Sequence, residues 1–537
     1  MKLHEVLRTC VCTVPTSVFF ITCGLTWIFV WPLIVDYILV LRSNSEIYNL
    51  WQKIPINVPM HFYFFNWTNP ESVFNKSVKP KFEQLGPYKF WQTEEKCNIT
   101  WNENGTITYQ KQRFWYYDST SADNGNMEDV VTFINPVAVC AAYVARSWNY
   151  VVRKGLSLAL SNMAPTVHIR RSIREVLFEG YSDSLIKIAG TMPFWRKDSF
   201  PEWDKFAWYY MRNGSYDFDG VYNMGTGKNS TFGRLYTWNY KTQNPFYTGE
   251  CLKIERSAGE FYGQNIGDSV AFFSPDIRRT VIFKYVGRSN VHNILGNKYV
   301  IEDLMLDNGT IYPENKCYCN GDCVPSGLLN VSATRYGCPL FASLPHFYRA
   351  DPYYVDSVEG IRPDKNKHEV SVTIEPTTGI TLEVHAKIQA NVLMQPIPGI
   401  SLYEQVPKIF LPIFWIQQDA KIPSNEAFKL KLILSVPIVC KVVGSLMIVA
   451  GIIILIFTAY KRCKREKDTN LFLNQEENIP LRTDHRTELT KNTTAVPKQK
   501  SIVNGIFPKI KKDESGDWEA ENSNSDNDLI DEDDADF

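Results

Sequence analysis

VVGSLMIVAGIIILIFTAY, residues 442–460, runs for 19 positions without a charge and is followed at once by Lys461, Arg462, Lys464 and Arg465. As an α-helix it spans roughly 28 Å, about one bilayer core, and the basic cluster marks its cytoplasmic end. Lys441 stands just before it, where a long side chain reaches the opposite interface, and residues 432–440 extend the apolar helix outward. Near the other end, residues 9–35 hold no Asp, Glu, Lys or Arg and include VPTSVFFITCGLTWIFVWPLIV (14–35). That helix runs to roughly 40 Å, whereas the apolar region of a cleaved signal peptide is only about 7–15 residues long, so it reads as an uncleaved anchor. Lys2 and Arg8 precede it. Both basic flanks then lie in the cytoplasm, and the chain is a membrane hairpin. The expected segments are a cytoplasmic N-terminus (1–8), a first span (9–41), an external or lumenal domain (42–430), a second span with its outer extension (431–460) and a cytoplasmic tail (461–537).

The 537 residues are 44% apolar and 21% charged, which suits one large or two ordinary domains and excludes a disulfide miniprotein or a wholly disordered chain. The net charge of −1 conceals an asymmetry: residues 513–537 hold twelve acids and no base, while 461–512 hold thirteen Lys/Arg against six Asp/Glu. Residues 9–460 are left close to neutral, at +3, without the dense basic face that a nucleic-acid binder needs. The tail reads as disordered, its basic part suited to anionic inner-leaflet lipid and its acidic end, from 513, solvated. Asp528-Leu529-Ile530 resembles an acidic dileucine sorting signal; a plain solvated tail is the alternative.

Eight Asn-X-Ser/Thr sequons lie between the spans, at Asn66, Asn75, Asn98, Asn104, Asn213, Asn229, Asn308 and Asn330, and fit a glycosylated external domain. Seven cysteines share that compartment: Cys97, Cys140, Cys251, Cys317, Cys319, Cys323 and Cys338. In a cytosolic protein the run CYCNGDC (317–323) would suggest a metal site, but an oxidising lumen and the lack of a nearby His favour disulfides. Seven is odd, so at least one thiol is free or intermolecular. Cys10, Cys12 and Cys463 sit at the cytoplasmic edges of the spans, where palmitoylation is an option beside inert thiols. No metal or cofactor is expected.

The external domain reads as α+β. Short aromatic and β-branched segments such as 61–65, 281–285 and 370–374, separated by Pro, Gly and Asn, point to an antiparallel sheet system. Residues 136–190 differ: Ala, Leu and Ile recur at helical spacing, Ile169, Ile173, Val176 and Leu177 form one apolar stripe, and three or four short helices are expected. This insert carries a local excess of +4, from Arg146, Arg153, Lys154, Arg170, Arg171, Arg174 and Lys187 against Glu175, Glu179 and Asp183, which suits acidic ligands or lipid headgroups if it is not simply a solvated face. No catalytic motif is present. The run from Gly220 to Lys228 fails as a phosphate loop, because Asn229 follows the lysine, and reads as a turn.

FYFFNWTNPESVF (62–74), Gly86-Pro87-Tyr88, TFINPVAV (132–139), FFSPDIRRT (272–280), GLLNVS (327–332), SLPHFYRADP (343–352), EPTTGITLEVHAKIQANV (375–392) and FLPIFWIQQ (410–418), in this order between two spans, resemble the scavenger receptor class B family. That family includes fatty-acid translocases, lipoprotein receptors, a lysosomal integral membrane protein, croquemort and the sensory neuron membrane proteins. The resemblance covers roughly residues 10–460 and is nearest to an insect-type member. It implies an antiparallel β-barrel-like core around a hydrophobic tunnel, capped by a helical bundle at 136–190. Capture of lipid, lipoprotein or polyanionic particles at the bundle, then passage of apolar cargo to the membrane, is the implied mechanism, without chemistry. An exposed CH₂ costs about 0.8 kcal/mol in water, so a shielded path has physical sense.

The resemblance also implies bridges Cys251–Cys317 and Cys319–Cys323. A third family bridge has no counterpart, since Arg278 stands at one end and the other falls near Thr334; Cys97, Cys140 and Cys338 are left without assignment. Some relatives carry ligand-binding lysines just before the arginine-rich helix, but the matching residues 161–165 contain none, and His168, Arg170, Arg171 and Arg174 are the nearby candidates. The leading expectation is a plasma-membrane scavenger receptor for lipids, lipoproteins or anionic particles such as apoptotic cells or microbes, with homo-oligomers possible and nucleic acid excluded. A lysosomal, endosomal or sensory receptor of the same family is the alternative. From other classes, a trimeric two-span channel would need a polar stripe, yet residues 442–460 offer only Gly444, Ser445, Gly451 and Thr458, and an ectohydrolase lacks a motif.

Overall fold

The computed structural model describes residues 2–191, 203–227, 231–254, 256–263 and 266–476. Asn229, the side chains of Cys10 and Cys12, and the tail beyond 476 fall outside the described residues or side chains. The chain divides into a unit of residues 1–462 and one of 463–537; of the second, the described part is the end of a helix.

In chain order the helices are α1 (Lys2–Leu39), α2 (Glu46–Gln52), α3 (Pro136–Ala145), α4 (Tyr150–Met163), α5 (Ser184–Thr191), α6 (Pro352–Asp356), α7 (Lys365–His368) and α8 (Ser424–Glu476). The strands are β1 (Val58–Trp67), β2 (Phe82–Trp101), β3 (Thr106–Tyr117), β4 (Val130–Ile134), β5 (His168–Ser172), β6 (Tyr181–Ser182), β7 (Lys205–Phe206), β8 (Val221–Gly225) and β9 (Arg234–Trp238). They continue with β10 (Arg256–Ser257), β11 (Ser269–Ser274), β12 (Arg279–Val291), β13 (Ile294–Ile301), β14 (Leu329–Asn330), β15 (Leu340–Ser343), β16 (Ser371–Ile374), β17 (Thr381–Met394) and β18 (Ile409–Lys421).

The main sheet closes on itself. From β17 it runs β16-β13-β12-β11-β10-β9-β8-β3-β2-β1-β18, and β18 pairs back onto β17, while β15 and β14 branch from β17. Every pairing in the ring is antiparallel except β10 with β11. Closure removes the free edges that an open sheet of this size would expose.

Sequence sets the two faces by simple alternation. In β1, Val58, Met60, Phe62 and Phe64 are buried while Pro59, His61 and Tyr63 are less so, as a period of two requires. The pattern breaks opposite Gly86, where the β1–β2 register slips between Phe62 and Phe64. Gly86 sits at φ +106°, and a Cβ there would lie 2.7 Å from the Phe62 carbonyl oxygen, so only glycine fits the bulge. Beyond it Phe64 and Phe65 are both buried, in one cluster with Val139 and Tyr143 of α3. Helices α1 and α8 are long and apolar enough to cross a bilayer.

Two local expectations are corrected. Residues 168–172 form a strand, β5, paired with β4, and the apolar spacing of Ile169, Ile173, Val176 and Leu177 crosses from that strand into a π-helical turn, Glu175–Glu179. The supposed turn after Gly220 is strand β8, held between β3 and β9.

Candidate functional site

Helices α3 and α4 pack onto the cluster that holds Phe64 and Phe65 of β1. Asn135 caps α3 by accepting from the Val137 and Ala138 amides at 3.1 Å, Pro136 supplies the first helical residue, and six of the nine residues that follow are buried. Three covalent or polar ties hold it. Cys140 is bridged to Cys338, Tyr143 donates to the Asp322 carboxylate, and Arg146 stacks 3.5 Å over the Tyr143 ring while pairing with Asp322 at 3.5 Å. Helix α4, capped by Asn149, buries Ser157 and Leu160; the Ser157 hydroxyl meets Ser401 at 2.7 Å. Its other face is open and mixed: Val151 is 77% exposed and Leu158, two turns on, 68%, with Lys154, Gly155 and Asn162 exposed on the same face.

The four candidate ligand residues do not converge. Strand alternation places His168 and Arg170 on one face of β5 and Arg171 on the other. His168 Nε2 lies 3.6 Å from Glu71, Arg171 packs 4.9 Å over the Tyr181 ring, and Arg174 is shared by Glu128 at 2.7 Å and Glu179 at 3.4 Å. Arg170 alone of the four is exposed without an ion pair among the described residues.

Inside the barrel the lining changes character along β3. Ile107 and Tyr109 belong to one apolar cluster with Trp51 and Leu41, Trp115 belongs to another with Phe62 and Phe90, and Lys111 and Arg113 lie between. Across the β2–β3 register Glu94 faces Arg113 and Lys96 faces Lys111. Lys96 is 2.9 Å from Glu94 and 3.6 Å from Glu260, Lys111 is 2.6 Å from Glu260, and Arg113 is 3.0 Å from Asp219. Burial would raise the Glu94 carboxyl, but Lys96, Lys111 and Arg113 outweigh it and hold it below the usual carboxylate range. Sequence reasoning missed this belt; charges at i and i+2, in Glu94 and Lys96 and again in Lys111 and Arg113, are the signal for it.

A profile of the CD36 family matches residues 13–461. The chain belongs to the CD36 family. It is 34% identical to Protein peste of Drosophila melanogaster over 420 residues, covering 77% of this chain and 75% of that protein. It is 26% identical to Scavenger receptor class B member 1 of Bos taurus, with 80% and 84% covered, and 26% identical to Lysosome membrane protein 2 of Rattus norvegicus, with 80% and 89% covered. The insect relative and the closed barrel between two apolar terminal helices agree with the family read from the sequence.

Within this CD36-family ectodomain the disulfides are Cys140–Cys338, Cys251–Cys317 and Cys319–Cys323, and Cys97 is free. Arg278 lies 4.6 Å over the Phe246 ring. Cys463 is exposed on α8. The sequons divide by burial. Asn75, Asn98, Asn104 and Asn213 are exposed and Asn66 is half-buried, whereas Asn308 and Asn330 are buried and use their amide nitrogens on the Leu328 and Cys319 carbonyls at 2.7 and 2.6 Å. A glycan on either would have to displace those bonds.

Proposed function

We propose that this CD36-family chain is a scavenger-type receptor that captures lipids, lipoproteins or anionic particles on its apical helices and passes apolar cargo through the barrel toward the membrane. The observation that carries the reading is the exposed pair Val151 and Leu158, two turns apart on α4, in the same insert (136–190) as the exposed Arg170. A lipid particle, with acyl chains under anionic headgroups, matches exposed apolar side chains such as Val151 and Leu158 together with the exposed basic Lys154 and Arg170 of the same insert. The belt of Glu94, Lys96, Lys111 and Arg113 divides the interior, so cargo with a polar head and an apolar chain suits the path better than a pure hydrocarbon. The protein binds and transfers; no bond is made or broken. Its membrane is the plasma membrane with both ends cytoplasmic, and the lysosomal membrane is the second placement, favoured by the likeness to Lysosome membrane protein 2.

Uptake of fluorescent liposomes by cells expressing the full chain tests the proposal. Expression should raise uptake, and Val151→Asp with Leu158→Asp should abolish the gain at unchanged surface level. Equal uptake with and without the chain would remove the reading.

A further inference from the structure

The β12–β13 hairpin, residues 279–301, carries Arg279, Lys284, Arg288, His292 and Lys298 and no Asp or Glu. Its tip is a two-residue turn in which His292 and Asn293 adopt φ of 49° and 60°, the left-handed pair that joins adjacent strands tightly. The register Val291 with Ile294, Asn290 with Leu295 and Arg288 with Asn297 separates two faces. On the inner face Val291 and Ile294 join Leu382 and the α8 residues Ala427 and Leu430 in one apolar cluster, and Leu434 packs against it. At the same level Lys429 of α8 lies 2.7 Å from Glu46 of α2. Lys431 is the last charge before the apolar run 432–440, so the hairpin tip stands beside the final turn of α8 before the bilayer.

The outer face near the tip is Arg288, Asn290, Leu295 and Asn297, with Leu295 52% exposed. Of the hairpin's basic residues Lys298 has a carboxylate partner, Glu369 at 3.8 Å, and Arg279 is buried against the Tyr318 ring, while Arg288 is exposed and forms no ion pair among the described residues. An unpaired guanidinium on a long stem beside an exposed leucine, at the level where a helix enters lipid, has the makeup of an interfacial contact. We propose that the β12–β13 tip rests on the phospholipid headgroups of the leaflet that α8 enters, with Arg288 on phosphate and Leu295 at the acyl boundary. The contact fixes the height of the barrel mouth above the bilayer at its α8 side. It rests on the membrane-hairpin reading of the chain.

The test uses the full chain in phosphatidylcholine nanodiscs containing a headgroup-photoactivatable phosphatidylcholine, with cross-linked peptides mapped by mass spectrometry; a second set replaces part of the lipid by phosphatidylglycerol. Cross-links are expected on the peptide holding residues 288–297 as well as on the flanks of α1 and α8. Yield that rises with phosphatidylglycerol assigns the contact to anionic charge, and equal yield assigns it to the phosphate common to both lipids; either supports the proposal. Arg288→Glu with Leu295→Ser, both exposed, should lower the hairpin yield on the order of ten-fold at an unchanged melting temperature. Cross-links on the α1 and α8 flanks with none on the hairpin would overturn it. Their absence from those flanks too would overturn the membrane-hairpin topology and this contact with it.

Discussion

Gly24 of α1 and Gly444 of α8 lie back to back: a Cβ added to Gly24 would meet the Gly444 carbonyl oxygen at 2.6 Å, and one added to Gly444 would meet the Gly24 carbonyl oxygen at 2.7 Å. Two turns along each helix in opposite senses, Gly451 comes within 2.9 Å of the Ser17 carbonyl oxygen by the same measure, and Ser17 is fully buried. The antiparallel pair is therefore seated through small residues seven apart on both helices. Between lipid tails no hydrophobic drive joins helices, so close backbone approach and its van der Waals contact hold them.

Gly444→Leu should then part the helices and destabilise the full chain by about 1–3 kcal/mol, the usual range for an overpacked contact. The thermal midpoint of the detergent-purified chain reports it. Leu446→Ala, on an exposed side of the same helix, is the control and should leave the midpoint in place. Equal midpoints for Gly444→Leu and the parent would mean that the two helices are not seated on each other.

Burial sorts the sequons. Asn75 and Asn104 are exposed, and their amide nitrogens make no hydrogen bond among the described residues, so glycopeptide mapping of the chain from a secretory host should find both occupied. Asn308 and Asn330 should be bare. A glycan on Asn308 in the folded protein would contradict the packing around Cys319, whose sulfur sits 2.7 Å from the Asn308 carbonyl oxygen.

The two apolar runs and the strand segments 61–65, 281–285 and 370–374 were legible because each is written in local sequence, as a charge-free run or as a short aromatic and β-branched stretch. Closure of the sheet was not, since nothing local says that β18 returns to both β1 and β17; it came only through resemblance to a family. Ile169, Ile173, Val176 and Leu177 misled because a strand ending in a π-helical turn buries residues at three- and four-residue steps just as a helix does. The Cys140–Cys338 pair was hidden by 198 residues of separation. The belt was hidden for another reason: Glu94 with Lys96, and Lys111 with Arg113, look like solvated strand faces until the register sets them inward against Glu260 and Asp219.

Replacing Cys140 and Cys338 together by Ala opens the longest of the three loops and should cost about 2–4 kcal/mol, through the freedom returned to the unfolded chain. The α3 helix keeps Asp322 as its remaining polar anchor, so a lower midpoint with a folded apex is expected. Thiol labelling of the denatured, unreduced parent should tag Cys97 as the one free ectodomain cysteine, and the double variant should add none. A parent that labels Cys140 or Cys338 would show the pairing to be wrong.

Acid should weaken the fold through a stacked histidine pair. The His346 and His368 rings lie 4.6 Å apart and 12° from parallel. His346 Nδ1 accepts the Arg362 amide at 3.1 Å, which leaves the proton on Nε2 to be donated to Gln84 at 2.8 Å, and Trp415 donates to that same oxygen. His368 Nδ1 accepts the Asp364 amide at 3.0 Å. Burial, then the neighbouring His368 and Lys367, push His346 down to about 3; burial, with Lys387 and Lys367 adding, pushes His368 to about 4. Both are neutral in the fold, while the unfolded chain takes up protons below about 6.5, so the stability is whole above that pH and is lost as pH falls toward 4 and 3. Between pH 6.5 and 5 the loss is about 1–2 kcal/mol per ring. His385 acts in the opposite sense: its 2.7 Å bond to Asp419 raises it, so its contribution is present below pH 6.5 and fades as pH rises through the raised value. That pair is more than a third exposed and screened by solvent, so the buried rings dominate. The thermal midpoint should fall between pH 7 and pH 5, and fall less in His368→Gln; a midpoint that holds steady across that interval in the parent would show that the pair is not the acid-sensitive element.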